Sequence, residues 1–276
     1  MANTDCNGNG LTMSFSIAQQ LQDQLQLALA GLELEEGNCP PISVELLPEN
    51  QRFGYRSPIA LALAARSSHS AANIAERLLA QRTFSDGKIV MAPSGWIEWH
   101  LRDEAIATWL QAHLDNPFAI HPQWCSSIDP NAPQVFTWQA ARARCCALLR
   151  LACDRKDIIC DPVSLAWHSP SPVPWLRNGI LQLHHPAERQ LIVSLLHIVD
   201  TLSIAPTRPS RNRVAQLTQR LSEDWMRCDR HCRIWGTILQ ENPTLAIGRL
   251  AVSSVAGQTL KCLLERGLNL HAPDEL

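Results

Sequence analysis

The chain has 276 residues, 46% of them hydrophobic and 5% aromatic, with a formal net charge of −2. That composition excludes an intrinsically disordered chain and suits a folded, helix-rich protein filled with Leu and Ala. No apolar run approaches bilayer-spanning length, and the polar start MANTDCNGNG lacks the cationic and apolar regions of a secretion signal. No membrane association is therefore expected. Ten cysteines spread over the chain, including the adjacent Cys145 and Cys146, fit a reducing cytoplasm better than a disulfide framework.

The small net charge hides an asymmetry. Residues 1–135 carry 7 basic and 14 acidic side chains, and residues 136–276 carry 17 and 12. Only three of the 24 basic residues are lysines. Arginine makes flat, bidentate contacts to phosphate, so any nucleic acid is expected on the C-terminal half.

In chain order, residues 1–13 read as a disordered tail. Residues 14–31 read as a helix with Ser14 or Ser16 as N-cap, a stripe of Ile17, Leu21, Leu25 and Ala28, and Gly31 at its end. ISVELLP (42–48) alternates like a strand and stops at Pro48. Two helical pieces follow, 58–66 and 71–82, the second capped by Ser70. GKIVMAP and GWIEWHL read as strands joined by a Pro-Ser-Gly turn at 93–95. Alternation in the second puts Trp96, Glu98 and His100 on one face and Ile97, Trp99 and Leu101 on the other. A helix over 103–114 closes this region. Residues 115–134, with four prolines, read as a linker. Helices are then predicted over about 135–153, 185–203, 211–235 and 244–266, the last with Leu250, Val255, Leu260 and Leu264 roughly on its inner side, and with a Pro-rich loop at 169–179. In WQAARARCCALLRLA (138–152), Ala141, Cys145, Leu148 and Leu151 share one face, and Arg142, Arg144 and Arg150 spread over the rest. The expected architecture is an α+β domain (14–114; a small antiparallel sheet with helices) followed by an all-α helical-bundle domain (135–276).

The order of certain blocks carries a resemblance. VELLPENQRFGYRSPIALALA (44–64), ANIAERLL (72–79) and PSGWIEWHL (93–101) resemble the N-terminal domain of the arginyl-tRNA synthetase family. WQAARARCCALLRLA, RNRVAQLTQRLSEDWMRCDRHCRIW (211–235) and GRLAVSSVAGQTLKCLLERGLNLHAPDEL (248–276) look like the helical DALR-type anticodon-binding domain of the same enzymes. The last block is the most specific, keeping Arg249, Leu250, Gly267, Leu268, Ala272 and Pro273 in order. The family's nucleotide-binding catalytic domain has no counterpart. Its His-x-Gly-His and KMSKS-like motifs are absent from the sequence. About 35 residues separate Leu101 from Trp138, where a nucleotide-binding α/β domain needs roughly 100 or more.

The resemblance implies a chain that is not an enzyme on its own, uses no cofactor and binds tRNA or tRNA-like RNA. A D-loop contact is implied at Trp96, whose ring can stack on a base, and at Glu98, which stands where the family has Asn. On the anticodon-binding side, Gln139, Arg142, Arg144, Arg227, Arg230 and Arg233 are the implied contacts. The family's aromatic positions have become Ala140, Cys228 and Asp229, so phosphate contact is expected more than base reading. A protein-interaction module, homodimeric or with another partner, is the alternative, as is a non-catalytic subunit supporting aminoacylation. Cys228 and Cys232 lie one helical turn apart, but no second ligand pair makes a zinc site. His184 and His185 precede Pro186 as helix-capping residues, and Cys145 beside Arg144 has no catalytic partner in view.

Overall fold

A computed structural model describes residues 16–30, 40–47, 52–80, 86–119, 128–204 and 209–276. The expected tail at 1–13 and residues 120–127 of the expected linker lie outside these residues. The fold is mixed, with many helices and small antiparallel sheets.

Helix α1 (Ile17–Ala30) starts where expected, with Ser16 as its cap: Ser16 Oγ accepts from Gln19 N at 3.0 Å. Its stripe of Leu21, Leu25 and Ala28 is buried. The expected strand at 42–48 shrinks to β1 (Glu45–Leu46), which pairs antiparallel with β2 (Gly54–Ser57). Short α2 (Ile59–Ala64) and α3 (Ala71–Ala80) follow, and Ser70 caps α3 by accepting from Asn73 N at 3.2 Å. Strands β3 (Gly87–Met91) and β4 (Ile97–Leu101) form a hairpin whose turn uses Gly95 at φ +84°. The sheet order is β1-β2-β4-β3. Ile97 and Trp99 are 0% and 3% exposed, so the predicted alternation holds, and Glu98 and His100 lie on the opposite face. Ile97 and Trp99 join Tyr55, Ile59, Ile74, Leu78 and the α1 stripe in a first core.

Helix α4 (Asp103–Asp115) was expected to belong with this domain, yet Ile106, Trp109 and Leu110 bury into a second core built from the C-terminal helices. The packing therefore divides just after β4, not at the prolines. Asp103 Oδ2 reinforces this by accepting from Leu181 N at 2.9 Å.

The second core is built from α5 (Pro133–Asp154), α6 (Pro186–Ile204), α7 (Arg211–His231), short α8 (Thr237–Glu241) and α9 (Pro243–Cys262), which continues as a π-helical turn (Leu263–Gly267). Gly257 lets α9 approach α5 closely, since a Cβ there would lie 2.9 Å from that of Cys145. The predicted inner residues Leu250, Val255, Leu260 and Leu264 are all buried. Helix α6 opens with a capping box. Glu188 accepts from His185 N at 2.8 Å, and His185 Nδ1 accepts from Ala187 N at 3.1 Å.

Three expectations for this half are corrected. It is not free of strands. Two small ribbons, β5 (Ile159–Cys160) with β6 (Trp167–Ser169) and β7 (Leu176–Arg177) with β8 (Ile180–Leu181), lie between α5 and α6. The second turns through Asn178 and Gly179, both at positive φ, the pair that two-residue hairpins favour. Second, Leu151 is 45% exposed, while Leu149 and Ala152 are buried. Packed against α7 and α9, α5 is buried around most of its girth, so one stripe does not describe it. Third, Cys153 and Cys160 are disulfide-bonded, in place of the unpaired thiols that a reducing compartment would leave. The other cysteines among the described residues are free and buried.

The two cores are tied through Asp200 on α6. Its Oδ2 accepts from the Tyr55 hydroxyl at 2.7 Å, and its Oδ1 accepts from Ser16 Oγ at 2.8 Å and Ala18 N at 3.3 Å. Burial nonetheless pushes the Asp200 carboxyl up to about 6, outweighing these donors. A carboxyl with a raised folded pKa binds a proton that the unfolded chain has lost. Its contribution therefore favours folding less as pH rises from about 4 to 6. The difference amounts to about 3 kcal/mol. Asp200→Asn mimics the protonated form, so wild type should gain stability relative to this variant as pH falls from 7 to 4. Urea unfolding of both proteins across that range checks this; a pH-independent difference would refute it.

Candidate nucleic-acid interface

The eight residues expected to touch RNA fall into three groups. On the outer face of the sheet, Trp96 is half-buried, and the Arg56 guanidinium lies 4.5 Å from its ring centroid. Arg56 in turn bonds Glu45 at 2.8 Å. Glu98 pairs with His100 Nε2 at 3.2 Å. The face thus carries an aromatic ring with a cation over it, beside a carboxylate already engaged.

The second group serves the fold. Gln139 Nε2 donates to the His271 carbonyl at 2.9 Å. Arg142, expected at the RNA surface, is 4% exposed. Its Nη2 bonds Asp274 Oδ1 at 2.8 Å, Nη1 contacts Cys146 Sγ, and Nε is buried with no acceptor among the described residues. Arg150 reaches the same segment, bonding the Asp274 carbonyl at 3.0 Å and Glu275 at 3.1 Å. These side chains bind residues 271–275 along α5. The sequence conceals this because Arg142 and Asp274 are 132 positions apart.

The third group gathers at the C-terminal end of α7. Arg144, with its side chain 51% exposed, crosses from α5 to Asp229 at 3.1 Å. Arg227 is 54% exposed and bonds Asp224 at 3.2 Å. Arg230 and Arg233 are exposed and have no ion-pair partner among the described residues. His231 stacks on His185 with centroids 6.2 Å apart, adding imidazoles to this end. Cations near a helix C-terminus also complement its dipole.

Behind this surface lies a buried polar network that sequence reasoning missed. Asp224 accepts from Ser194 Oγ at 2.5 Å and Gln190 Nε2 at 3.2 Å. Glu188, 1% exposed, accepts from Arg249 Nε at 2.6 Å. Arg249 Nη1 also donates to the Arg233 carbonyl, fixing the backbone where α7 ends. The acidic residues three before Arg227 and three after His185 were visible local signals.

The cysteines here are core groups. Burial pushes the Cys145 thiol well up, against the pull of Arg142, and lifts Cys146 to about 11. Cys228 and Cys232 are both buried, and a hydrogen bond between them, then burial, raise the Cys228 thiol. No group of three or more His, Cys, Asp or Glu able to hold a metal occurs among the described residues.

Comparison with family models, with curated proteins and with solved structures returns no match to this chain.

Removing Asp274 leaves the Arg142 guanidinium buried without its carboxylate. Asp274→Ala should therefore destabilise the fold by about 2–3 kcal/mol, below the range for fully buried pairs because Asp274 is 41% exposed. Glu275→Ala should cost under about 0.5 kcal/mol, since that carboxylate is 82% exposed. Urea midpoints distinguish these outcomes. Equal effects would show that the tail is not held through Arg142.

Proposed function

We propose that this chain is a non-catalytic, arginyl-tRNA synthetase-like protein that binds tRNA or a tRNA-like RNA as an accessory or regulatory factor. In this reading residues 135–276 are a DALR-type helical domain with small ribbons inserted. Exposed Arg227, Arg230 and Arg233 at the end of α7 carry the proposal. A cluster of guanidiniums, two of them without an ion-pair partner among the described residues, is suited to successive phosphates. The +5 balance of residues 136–276 supports it. The ordered sequence blocks point to tRNA in particular.

The contact set differs from the one expected by analogy. Arg142 and Gln139 hold the fold, so binding is assigned to Arg144, Arg227, Arg230 and Arg233. Trp96, with Arg56 over it, forms a second contact surface on the sheet. Such a surface grips phosphate and stacks bases but has few groups to read base edges. The reading assigns the chain no catalytic step and no cofactor.

A protein-interaction role is the second reading. Exposed Leu151 and Leu276 favour it, at 45% and 68% exposure, since Arg150 and Glu275 beside them are bonded.

Binding to total tRNA and to an unrelated structured RNA, at 50 and 200 mM salt, tests the first reading. About three phosphate contacts would weaken binding roughly 40-fold between those concentrations. Arg230→Glu with Arg233→Glu should abolish most of it without unfolding the protein. Trp96→Ala should weaken tRNA binding several-fold and affect the unrelated RNA less. No binding at 50 mM salt would overturn the reading. RNA-independent self-association lost in Leu151→Glu would instead establish the second.

A further inference from the structure

A groove of about 620 Å³ runs between β1 and the α6–α7 pair. One wall is the extended segment 42–47, with Val44 and Leu46 partly exposed along it. The other wall is one stripe of α6, Val193, His197, Asp200, Thr201 and Ile204, at the 4-3-1-3 spacing of a helix face. Arg220 of α7 closes one side. At one end Gln22 Nε2 of α1 caps the strand by donating to the Ile42 carbonyl at 3.2 Å.

The charges in this groove are uneven. Its two acidic residues are occupied: Glu45 by Arg56, and Asp200 by Tyr55, Ser16 and the Ala18 amide. Arg220, on its lining, and Arg213, which contacts the lining residues His197 and Thr201, are less so. Arg220 has Asp224 as its nearest carboxylate, at 3.8 Å, and Asp224 has closer donors in Ser194, Gln190 and Arg227. Arg213 has no carboxylate within ion-pair distance among the described residues. Its Nη2 donates to His197 Nε2 at 3.0 Å and lies 3.5 Å from Thr201 Oγ1. His197 Nε2 is therefore an acceptor, and the imidazole proton sits on Nδ1. Burial, with Arg213 and Arg220 beside it, holds His197 down near 4, so it is neutral at physiological pH. Nδ1–H has no protein acceptor among the described residues. The site thus combines a loosely held guanidinium, a neutral N–H donor and the Thr201 hydroxyl with an aliphatic lining from Val44, Leu46, Val193 and Ile204.

We propose that this groove binds a small anionic amphiphile: a carboxylate or phosphate head between Arg220 and His197, with an apolar body along Val44, Leu46 and Ile204. The volume lies within the range of small-ligand sites, which pair an apolar lining with a few fixed polar groups. The site is independent of the RNA reading. Arg220 precedes Arg230 by ten residues, about 15 Å along α7, and faces the N-terminal sheet.

Isothermal titration of the full chain with octanoate, octyl phosphate, octylammonium and octyl glucoside tests the proposal. At least one of the two anions should bind at least tenfold more tightly than the cation and the neutral glycoside. Whichever anion is preferred identifies the head group. Arg220→Gln should lower that affinity at least tenfold while leaving the urea midpoint nearly unchanged, because Asp224 keeps its other donors. Thr201→Trp, filling the groove, should abolish binding. Absence of anion binding at millimolar concentration, equal binding of all four probes, or undiminished binding by Arg220→Gln would overturn it. RNA binding measured on the same variants should be unaffected.

Discussion

One buried carboxylate, Asp200, sets how the two cores meet. Asp200 sits on α6 in the C-terminal half, yet its donors come from the start of α1 and from β2 in the N-terminal half. Ser16 both caps α1 and donates to Asp200, so the helix start and the contact between cores are one arrangement. The charge is not there because it is comfortable: burial wins over three hydrogen bonds. Such groups add little net stability but tolerate few alternatives, because any other docking leaves an anion buried without donors. Asp200 is thus better understood as fixing how α1 and β2 seat on α6 than as glue. The groove between β1 and α6 exists because that seating is fixed.

A second constraint acts on charge. Helix α5 is enclosed on most sides, and its arginines cannot all face water. Arg142 is taken into the interior with Asp274, and Arg150 holds the next residue of the same tail. Of the three arginines on α5, Arg142 is thereby withdrawn from the surface and Arg150 is tied to the tail, while Arg144 stays exposed. Positive charge also remains at the end of α7, where Arg249 and Glu188 anchor the backbone from beneath. A basic surface resting on a buried ion pair is positioned more firmly than flexible side chains alone would allow.

What was legible in the sequence was local. Ser16 and Ser70 as caps, the burial of Ile97 and Trp99, the inner face of α9 and the capping role of His185 all depend on residues within a turn or two. Asn178-Gly179 was equally local, and its hairpin was readable, but the surrounding prolines pointed to a plain loop. The failures were non-local. Leu151 lies on the helix face that periodicity predicts, but two neighbouring helices, not one, decide which sides of α5 are dry. Arg142 looks solvent-facing until Asp274 returns from the far end of the chain. Helix α4 follows β4 directly, yet its apolar face finds its partners after residue 135. The site residues divide the same way: the exposed arginines of α7 were visible, whereas the groove combines α1, β1, α6 and α7, and no short stretch announces it.

The separation between Tyr55 and Asp200 also sets an order of events during synthesis. The acceptor lies 145 residues beyond the Tyr55 hydroxyl and 184 beyond Ser16. At ordinary elongation rates, α1 and the first sheet leave the ribosome on the order of 10 s before α6 exists to receive them. During that interval the Tyr55 hydroxyl, the Ser16 hydroxyl and the Ala18 amide lack their carboxylate acceptor. The apolar flanks that later meet the second core, including Phe53, Leu46 and Leu101, stay uncovered. The N-terminal half is thus a nascent-chain client of its own C-terminal half, and slow translation through 133–204 would lengthen its exposure to chaperones and proteases.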